Sequence, residues 1–170
     1  MMKLTIKEMA VLAVLGAMMV AGDLLMEALP NVHLVGMLLV VTTVVFRQKA
    51  LYALAVYLLV NGLFAGFAIW WWPYIYVWAV LVGMVLLLPK RMHPAVAAVV
   101  YAAVCAAHGF LFGVLYAPAN ALLFGLNFEQ MIAWIVAGFP FDIIHGISNA
   151  CCGVLIMPLV TVLNRLKRTW

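Results

Sequence analysis

Charged side chains are scarce in this sequence. Of its 170 residues, 8% are charged and 70% are hydrophobic. Soluble globular domains contain about 25% charged and about 45–50% apolar residues, so this chain has too little polar surface to cover a water-soluble particle. The composition therefore excludes cytosolic enzymes, nucleic-acid-binding domains, disordered tails and secreted disulfide scaffolds.

Cysteine is also rare, and its three copies follow no functional pattern. Cys105, Cys151 and Cys152 lie in apolar runs without the spacing of a disulfide framework or a metal site. The sequence contains no Gly-x-x-x-x-Gly-Lys-[Ser/Thr] run, which a P-loop for ATP would need. We interpret the cysteines as packing residues, and we expect no metal, no cofactor and no catalytic residues.

Long apolar runs are what the sequence has instead. A helix needs about 20 mostly apolar residues to cross the hydrocarbon of a bilayer, and six runs approach or reach this length. They are residues 9–29, 32–46, 50–71, 74–88, 95–116 and 141–163. Residues 117–129 are expected to form a connector, and residues 130–139 a short interfacial helix before Pro140. The sequence predicts an all-α membrane protein with six transmembrane helices in one domain, residues 1–170.

The basic residues predict how this bundle is oriented. All nine lie before the first run, after the last run, or in the connectors that follow the second and fourth runs. They are Lys3, Lys7, Arg47, Lys49, Lys90, Arg91, Arg165, Lys167 and Arg168. Lys and Arg are retained on the cytoplasmic side during insertion, so both termini and these two connectors are predicted to be cytoplasmic. A cleaved signal peptide over residues 1–21 is an alternative for the first run, but the further runs favour a retained helix.

Most acidic residues fall on the opposite, outer side of the predicted bundle. Asp23 and Glu27 lie one helical turn apart near the outer end of the first run, and His33 begins the second. A carboxylate within a bilayer usually faces a cavity or a partner, and the alternative is that both carboxylates reach headgroup water. Neutral amides at the same side or at mid-depth are Asn61, Asn120 and Asn127.

The sixth run is the most polar of the six. Asp142, His145 and Asn149 are spaced so that they share one helix face, and such side chains on a membrane helix must face protein or water. His108 of the fifth run is followed by glycine, as His145 is. We predict that these residues line a substrate site. The alternative is that the two histidines only bond between helices that glycine allows to pack closely.

Aromatic residues crowd the connector after the third run and the start of the fourth. They are Trp70, Trp71, Trp72, Tyr74, Tyr76 and Trp78. One interpretation is an interfacial belt, where Trp and Tyr are enriched. The other is that Trp72, Tyr74 and Trp78 line a pocket in which rings stack on a planar ligand or hold a cation. The outer half has no Lys or Arg to pair with a polyanion, so we expect a neutral or cationic, partly aromatic ligand.

Small residues repeat along the first run, where Ala13-Val-Leu-Gly-Ala17 has the spacing that lets another helix approach closely. The whole chain resembles the substrate-binding S component of the energy-coupling factor (ECF) transporters. These are vitamin importers of bacteria and archaea. The resemblance lies in this motif, in the size of the chain, in its six runs and in the predicted cytoplasmic position of both termini. The resemblance implies that Ala13 and Ala17 dock onto a transmembrane T component.

The same resemblance implies a mechanism. The chain would capture a vitamin-like molecule outside the prokaryotic plasma membrane, reorient among the lipids against the T component, and release the molecule inward. Two separate ATPase subunits would hydrolyse ATP, so this chain would be neither an enzyme nor a nucleic-acid-binding protein. Family members bind vitamins with the outer parts of the later helices and with outer connectors. The predicted substrate-binding residues are Asp23, Glu27, His33, Asn61, Trp72, Tyr74, Trp78, His108, Asn120, Asp142, His145 and Asn149.

Two other functions are compatible with these residues. A membrane-embedded enzyme would use Asp142, His145 and His108, with a metal held by His and carboxylate side chains or with haem. Stoichiometric zinc, iron or haem in the purified protein would favour it. A stand-alone small transporter or a structural subunit of a larger complex is the other alternative. Inverted repeats would support a stand-alone carrier, but only the two His-Gly pairs are self-similar.

Overall fold

The computed structural model describes residues 3–169, and over that range the chain is all-helical, as predicted. Eight α-helices follow one another, with a 3₁₀ turn at Arg47–Lys49 between the second and the third. The helices are α1 (Ile6–Met26), α2 (Val35–Phe46), α3 (Ala50–Ala65), α4 (Trp71–Leu87), α5 (Pro94–Phe110), α6 (Phe112–Phe124), α7 (Phe128–Gly153) and α8 (Ile156–Arg168).

Four helical stretches are long and apolar enough to cross a membrane, and α4 is a shorter apolar helix. The four are Ile6–Met26, Val35–Ala65, Pro94–Phe124 and Phe128–Gly153. The second stretch contains α2 and α3, which the 3₁₀ turn separates and which run in opposite directions. Helix α3 begins beside Glu8, near the start of α1, and reaches Asp23, near the end of α1, so α3 runs in the same direction as α1. Helix α2 connects the end of α1 to the start of α3 and therefore runs in the opposite direction to both. The chain is therefore a helical membrane protein by composition and helix length.

The centre of the bundle is α2. Of its twelve residues, eleven are buried, because α1, α3, α4, α5, α7 and α8 all pack against it. A helix that is apolar all round is stable only when it is surrounded in this way. Its two threonines, Thr42 and Thr43, satisfy their hydroxyls within the helix by donating to the carbonyl oxygens of Leu38 and Leu39, each at 2.7 Å.

The two ends of the bundle differ in chemistry. The basic end is defined by Glu8, Arg47, Lys49, Lys90 and Lys167, which contact one another or line common surface recesses. The opposite end is the aromatic end, defined by Asn31, Trp70, Tyr74, Tyr116 and Trp134. The cationic side chains of the basic end and the ring side chains of the aromatic end therefore lie at different ends of the bundle.

The prediction that residues 117–129 form a connector is wrong for most of these residues. Helix α6 continues to Phe124, and α7 begins at Phe128. Only Gly125, in the left-handed backbone conformation at φ 66°, and its two successors break the helix. Asn127 caps α7, because its side chain accepts a hydrogen bond from the Gln130 amide while the Gln130 side chain accepts one from the Asn127 amide.

Pro140 does not end a helix, contrary to the prediction. Residues 130–139 belong to α7, which continues through this proline to Gly153. Membrane helices tolerate proline because local adjustment and neighbouring groups satisfy the freed carbonyl. The predicted sixth run is instead interrupted at residues 154–155, where α8 begins as a separate helix.

The boundary between the third and fourth runs also differs from the prediction. It falls at residues 66–70 rather than at Trp72-Pro73. Gly66 has φ 86°, which favours glycine, and it ends α3. Pro73 lies in the first turn of α4, where its missing N–H group would have no partner in the helix.

Candidate ligand site at the aromatic end

The two His-Gly pairs mark a point where α5 and α7 approach each other closely. A Cβ atom placed on Gly109 would stand 2.9 Å from the Cα atom of Gly146, so no larger residue fits there without a shift of the helices. The close packing that the glycines predict is therefore confirmed. It brings His108 and His145, both fully buried, into the same part of the bundle.

These histidines belong to a compact group of rings that we call the histidine–tryptophan cluster: His33, Trp78, His108 and His145. The ring centroids of His33 and His145 are 4.4 Å apart, and Trp78 lies 5.6 Å from His33 and 5.4 Å from His108. Four helices or their ends supply the group, since His33 precedes α2 and the others lie on α4, α5 and α7. The cluster unites three predicted site histidines with one predicted tryptophan.

The polar atoms of this cluster are mostly unpaired. His108 Nε2 lies 2.9 Å from the carbonyl oxygen of Val77. In contrast, His33 Nδ1, Trp78 Nε1, His108 Nδ1 and His145 Nε2 are buried and have no hydrogen-bond partner among residues 3–169. Buried polar atoms are nearly always paired in proteins, and an unpaired one is costly. Such a concentration makes this part of the bundle a candidate for binding a hydrogen-bonding molecule.

Two further polar residues of α7 continue this pattern. Asp142, 6% exposed, accepts a hydrogen bond on Oδ1 from the Gly113 amide at 3.0 Å, while its Oδ2 has no partner within the described range. Asn149 donates from Nδ2 to the Cys105 carbonyl oxygen at 3.1 Å, and its Oδ1 is unpaired. Asp142, His145 and Asn149 share one face of α7, as their spacing predicted, and that face is turned into the bundle.

A cavity of about 280 Å³ opens beside Asp142. Its lining comes from the loop before α2 and from α4, α6 and α7: Asn31, Tyr74, Phe112, Gly113, Tyr116, Trp134, Gly138, Phe141 and Asp142. Three of the rings lie nearly parallel along the wall. Tyr116 is stacked on Trp134 at 5.9 Å and on Phe112 at 6.2 Å. None of the lining residues is a Lys or an Arg, and one is a carboxylate.

Phe112 stands between the cavity and the histidine–tryptophan cluster. It lines the cavity, and its ring centroid is 4.9 Å from that of His145, 5.5 Å from Trp78 and 5.8 Å from His108. It is also the first residue of α6, directly after the break in helix that follows Phe110. Phe112 therefore separates the cavity from the unpaired nitrogens of the cluster.

Asp23 and Asn61 lie together, but they are engaged with each other. Asp23 Oδ2 accepts hydrogen bonds from the Tyr57 hydroxyl at 2.6 Å and from Asn61 Nδ2 at 3.1 Å. This network ties α1 to α3 and satisfies a half-buried carboxylate, which matches the expectation that such a group faces a cavity or a partner. Neither residue lines the cavity within the described part of the chain.

The remaining predicted residues lie outside this group. Glu27 is exposed just after α1, and Trp72 is 60% exposed at the start of α4. Asn120 is buried on α6, two helical turns after Phe112, and is not among the cavity-lining residues. Of the aromatic residues predicted to form a pocket, Tyr74 lines the cavity and Trp78 lies behind it, whereas Trp72 faces away.

Sequence reasoning missed several lining residues for two reasons: Trp134 and Gly138 fell in the predicted interfacial helix at residues 130–139, whereas Phe112, Tyr116 and Phe141 lay within predicted runs but carried no polar signal that singled them out. Phe112 and Tyr116 are four residues apart on α6, and Trp134, Gly138 and Phe141 precede Asp142 at helical spacing on α7. If helical spacing had been followed without a break from Trp134 to Asn149, it would have predicted the whole face of α7 that carries these residues.

Possible metal ligands are not grouped in this site. Among residues 3–169, no three His, Cys, Asp or Glu side chains stand close enough together to hold a metal ion. Comparison of the chain with family models, with curated proteins and with solved structures gives no match. Any assignment of function therefore depends on the cavity and on the residues around it.

Proposed function

We propose that this chain is the substrate-binding S component of an ECF-type importer. It captures a small neutral or cationic aromatic micronutrient, such as a vitamin or its precursor, outside a prokaryotic plasma membrane. A T component and two ATPase subunits supply the energy for uptake. The cavity beside Asp142 carries the proposal, because it combines ring walls with one carboxylate, and the unpaired buried nitrogens of the histidine–tryptophan cluster lie behind its wall.

The properties of the cavity define the class of ligand. Its volume of about 280 Å³ lies just below the range of about 300–1,000 Å³ that is typical of drug-sized ligands, so the occupant is small, with one or two ring systems. Tyr74, Tyr116 and Trp134 offer faces for a planar group. Asp142 Oδ2 accepts a hydrogen bond or balances a positive charge, and the absence of cations from the lining disfavours a polyanion.

The fold also supports a six-span arrangement. The stretch Val35–Ala65 provides two antiparallel passages, α2 and α3, while α1, α4, α5 with α6, and α7 with α8 provide four more. We propose that the basic end faces the cytoplasm, since Lys and Arg are retained there. Both termini then lie inside, and the cavity opens toward the medium.

A thermal-unfolding screen of the purified protein in detergent tests the ligand class. The panel contains thiamine as a cation, riboflavin and biotin as further vitamins, folate as a polyanion, and the ring precursors of each. We expect a neutral or cationic aromatic member to raise the unfolding temperature, because a ligand at 100 times its dissociation constant stabilises the folded state by about 2.7 kcal/mol. Stabilisation by folate alone would contradict the ligand class.

Copurification tests the assembly separately. An affinity-tagged chain isolated from its native membrane is expected to carry a T component and two ATPases. Isolation without them would favour a stand-alone transporter. Stoichiometric zinc, iron or haem, in a sample that binds no member of the panel, would favour the membrane-embedded enzyme.

A further inference from the structure

A second cavity lies at the basic end and is separate from the ligand site. Its volume is about 380 Å³, and its lining is Phe46, Arg47, Gln48, Lys49, Leu86 and Lys90. Three of these six residues are cationic and none is acidic. A recess of this composition holds a positive potential that attracts anions.

The protein neutralises only part of this charge. Lys49 is paired with Glu8, at 2.7 Å from Nζ to Oε1. Arg47 donates from Nη2 to the Leu86 carbonyl oxygen at 2.9 Å, and Lys90 is exposed with no ion-pair partner in the described part of the chain. A guanidinium has five donors, so Arg47 retains several for another acceptor. Arg47 and Lys90 are therefore uncompensated cations beside the same recess.

The backbone of Arg47 has a conformation that is usually adopted by glycine. Its φ is 55°, in the left-handed region that L-residues rarely adopt, at the residue that ends α2. The guanidinium bonds a carbonyl of the last turn of α4, which has no partner within its own helix. A strained arginine whose side chain is fixed at the edge of a cavity indicates a functional use of that side chain.

Apolar surface adjoins the cationic recess. Phe46 and Leu86 form part of its wall, and Leu87, the last residue of α4, is 88% exposed. A phosphate in this recess would thus have apolar protein surface beside it, at the end of the shorter apolar helix α4 and of α2, which belongs to the membrane-length stretch Val35–Ala65. An amphiphile fits this combination better than a free ion does.

We propose that this cavity binds the phosphate of an anionic phospholipid, held by Arg47 and Lys90 with its acyl chains along the end of α4. Basic recesses between membrane helices are suited to such headgroups because they meet the bilayer at phosphate depth. The proposal does not depend on the ligand that binds at the aromatic end.

The test compares two neighbouring lysine and arginine positions. Lys90 lines the cavity, whereas Arg91 is also exposed and does not line it, so Lys90→Gln and Arg91→Gln remove the same charge from adjacent positions. Native mass spectrometry of the detergent-solubilised full chain, titrated with phosphatidylglycerol, measures lipid binding directly. We expect Lys90→Gln to weaken binding about fivefold and Arg91→Gln to change it less than twofold.

Three other outcomes would overturn the proposal. Equal losses in both variants would show a diffuse attraction to the basic end. Equal retention of phosphatidylcholine would show that the headgroup charge is not recognised. Full competition by inorganic phosphate at the same concentration as the lipid would make a free anion the ligand. Circular dichroism of both variants checks that each remains folded.

Discussion

At the scale of single residues, Asp142 is the side chain on which the ligand chemistry depends most. The Gly113 amide fixes one carboxylate oxygen and leaves the other buried without a partner in residues 3–169, on a residue that lines the cavity. Gly113 is needed for this contact, since a Cβ atom there would overlap Asp142 Oδ2. The carboxylate is thus held in place before any ligand arrives, and preorganisation of this kind lowers the cost of binding.

Replacement of Asp142 by asparagine tests this role. Asp142→Asn keeps the size of the side chain and an oxygen for the Gly113 amide, but it removes the charge. We expect the dissociation constant of a cationic ligand to rise at least about tenfold, since a hydrogen bond to a charged group contributes about 1.5–3 kcal/mol. Isothermal titration with the ligand found in the screen measures this change.

The matched control is Glu129→Gln, which removes a carboxylate from the exposed first turn of the same helix. The dissociation constant of the ligand for Glu129→Gln is expected to stay within twofold of its value for the unmodified protein. Unchanged binding in Asp142→Asn would place the ligand away from this cavity.

At the scale of elements, the sequence predicted polar faces better than helix limits. The shared face of Asp142, His145 and Asn149 and the close approach at the His-Gly pairs depend only on helical spacing and on glycine size, and both are present. The limits of α6 and α7 depend on tertiary packing. Pro140 and the segment around Asn120 look like breaks in isolation, yet both are helical in the packed bundle.

Ring partners were harder to predict than the polar face. Trp72 and Trp78 are both tryptophans of one aromatic segment, but only Trp78 falls on the side of α4 that faces the bundle. The positions of Phe112 and Trp134 depend on how α6 and α7 approach α4. No local sequence pattern predicts how these helices pack, so the residues of the aromatic wall can be identified only in the folded bundle.

Helix α1 packs on α3 at Gly16, and the exposed alanines Ala13 and Ala17 lie beside this contact, where Ala13 lines a shallow recess with Tyr52 and Val56 of α3. Gly16 lies against α3, where a Cβ atom would stand 2.6 Å from the Ala53 carbonyl oxygen. Ala13 and Ala17 are exposed on the surface of the bundle. The exposed alanines are consistent with the predicted docking of a partner helix, which remains a proposal.

Bulky substitutions on this face test the docking proposal. Ala17→Trp and Ala13→Trp are expected to abolish vitamin uptake in cells that express the T component and the ATPases, because a large ring prevents close helix approach. Ligand binding by the isolated variants is expected to be unchanged, since neither alanine lines the ligand cavity. Uptake of radiolabelled ligand and titration of the purified variants measure the two effects.

The control for this pair is Ala150→Trp, an exposed alanine on α7. It adds the same bulk to the membrane surface of another helix, so uptake is expected to persist. Normal uptake in Ala13→Trp and Ala17→Trp would reject α1 as the docking face.

At the scale of the whole molecule, the separation of the two ends would give the proposed importer a direction. Arg47 and Lys90 lie beside one cavity at the basic end, and Tyr116 and Trp134 stack beside the other at the aromatic end. A protein that captures solutes from the medium needs the second cavity to open outward. The proposed importer therefore requires the basic end to be inside the cell.

Cysteine labelling in intact cells tests this orientation. The background carries alanine in place of Cys105, Cys151 and Cys152, and one new cysteine is introduced at an exposed position of each end: Gln48→Cys at the basic end or Ala28→Cys after α1, near the aromatic end. A membrane-impermeant maleimide is expected to label Ala28→Cys directly and Gln48→Cys only after the cells are permeabilised, because cationic segments are retained in the cytoplasm. Labelling of Gln48→Cys in intact cells would turn the ligand cavity toward the cytoplasm, where it cannot capture a solute from the medium, and the importer proposal would fail.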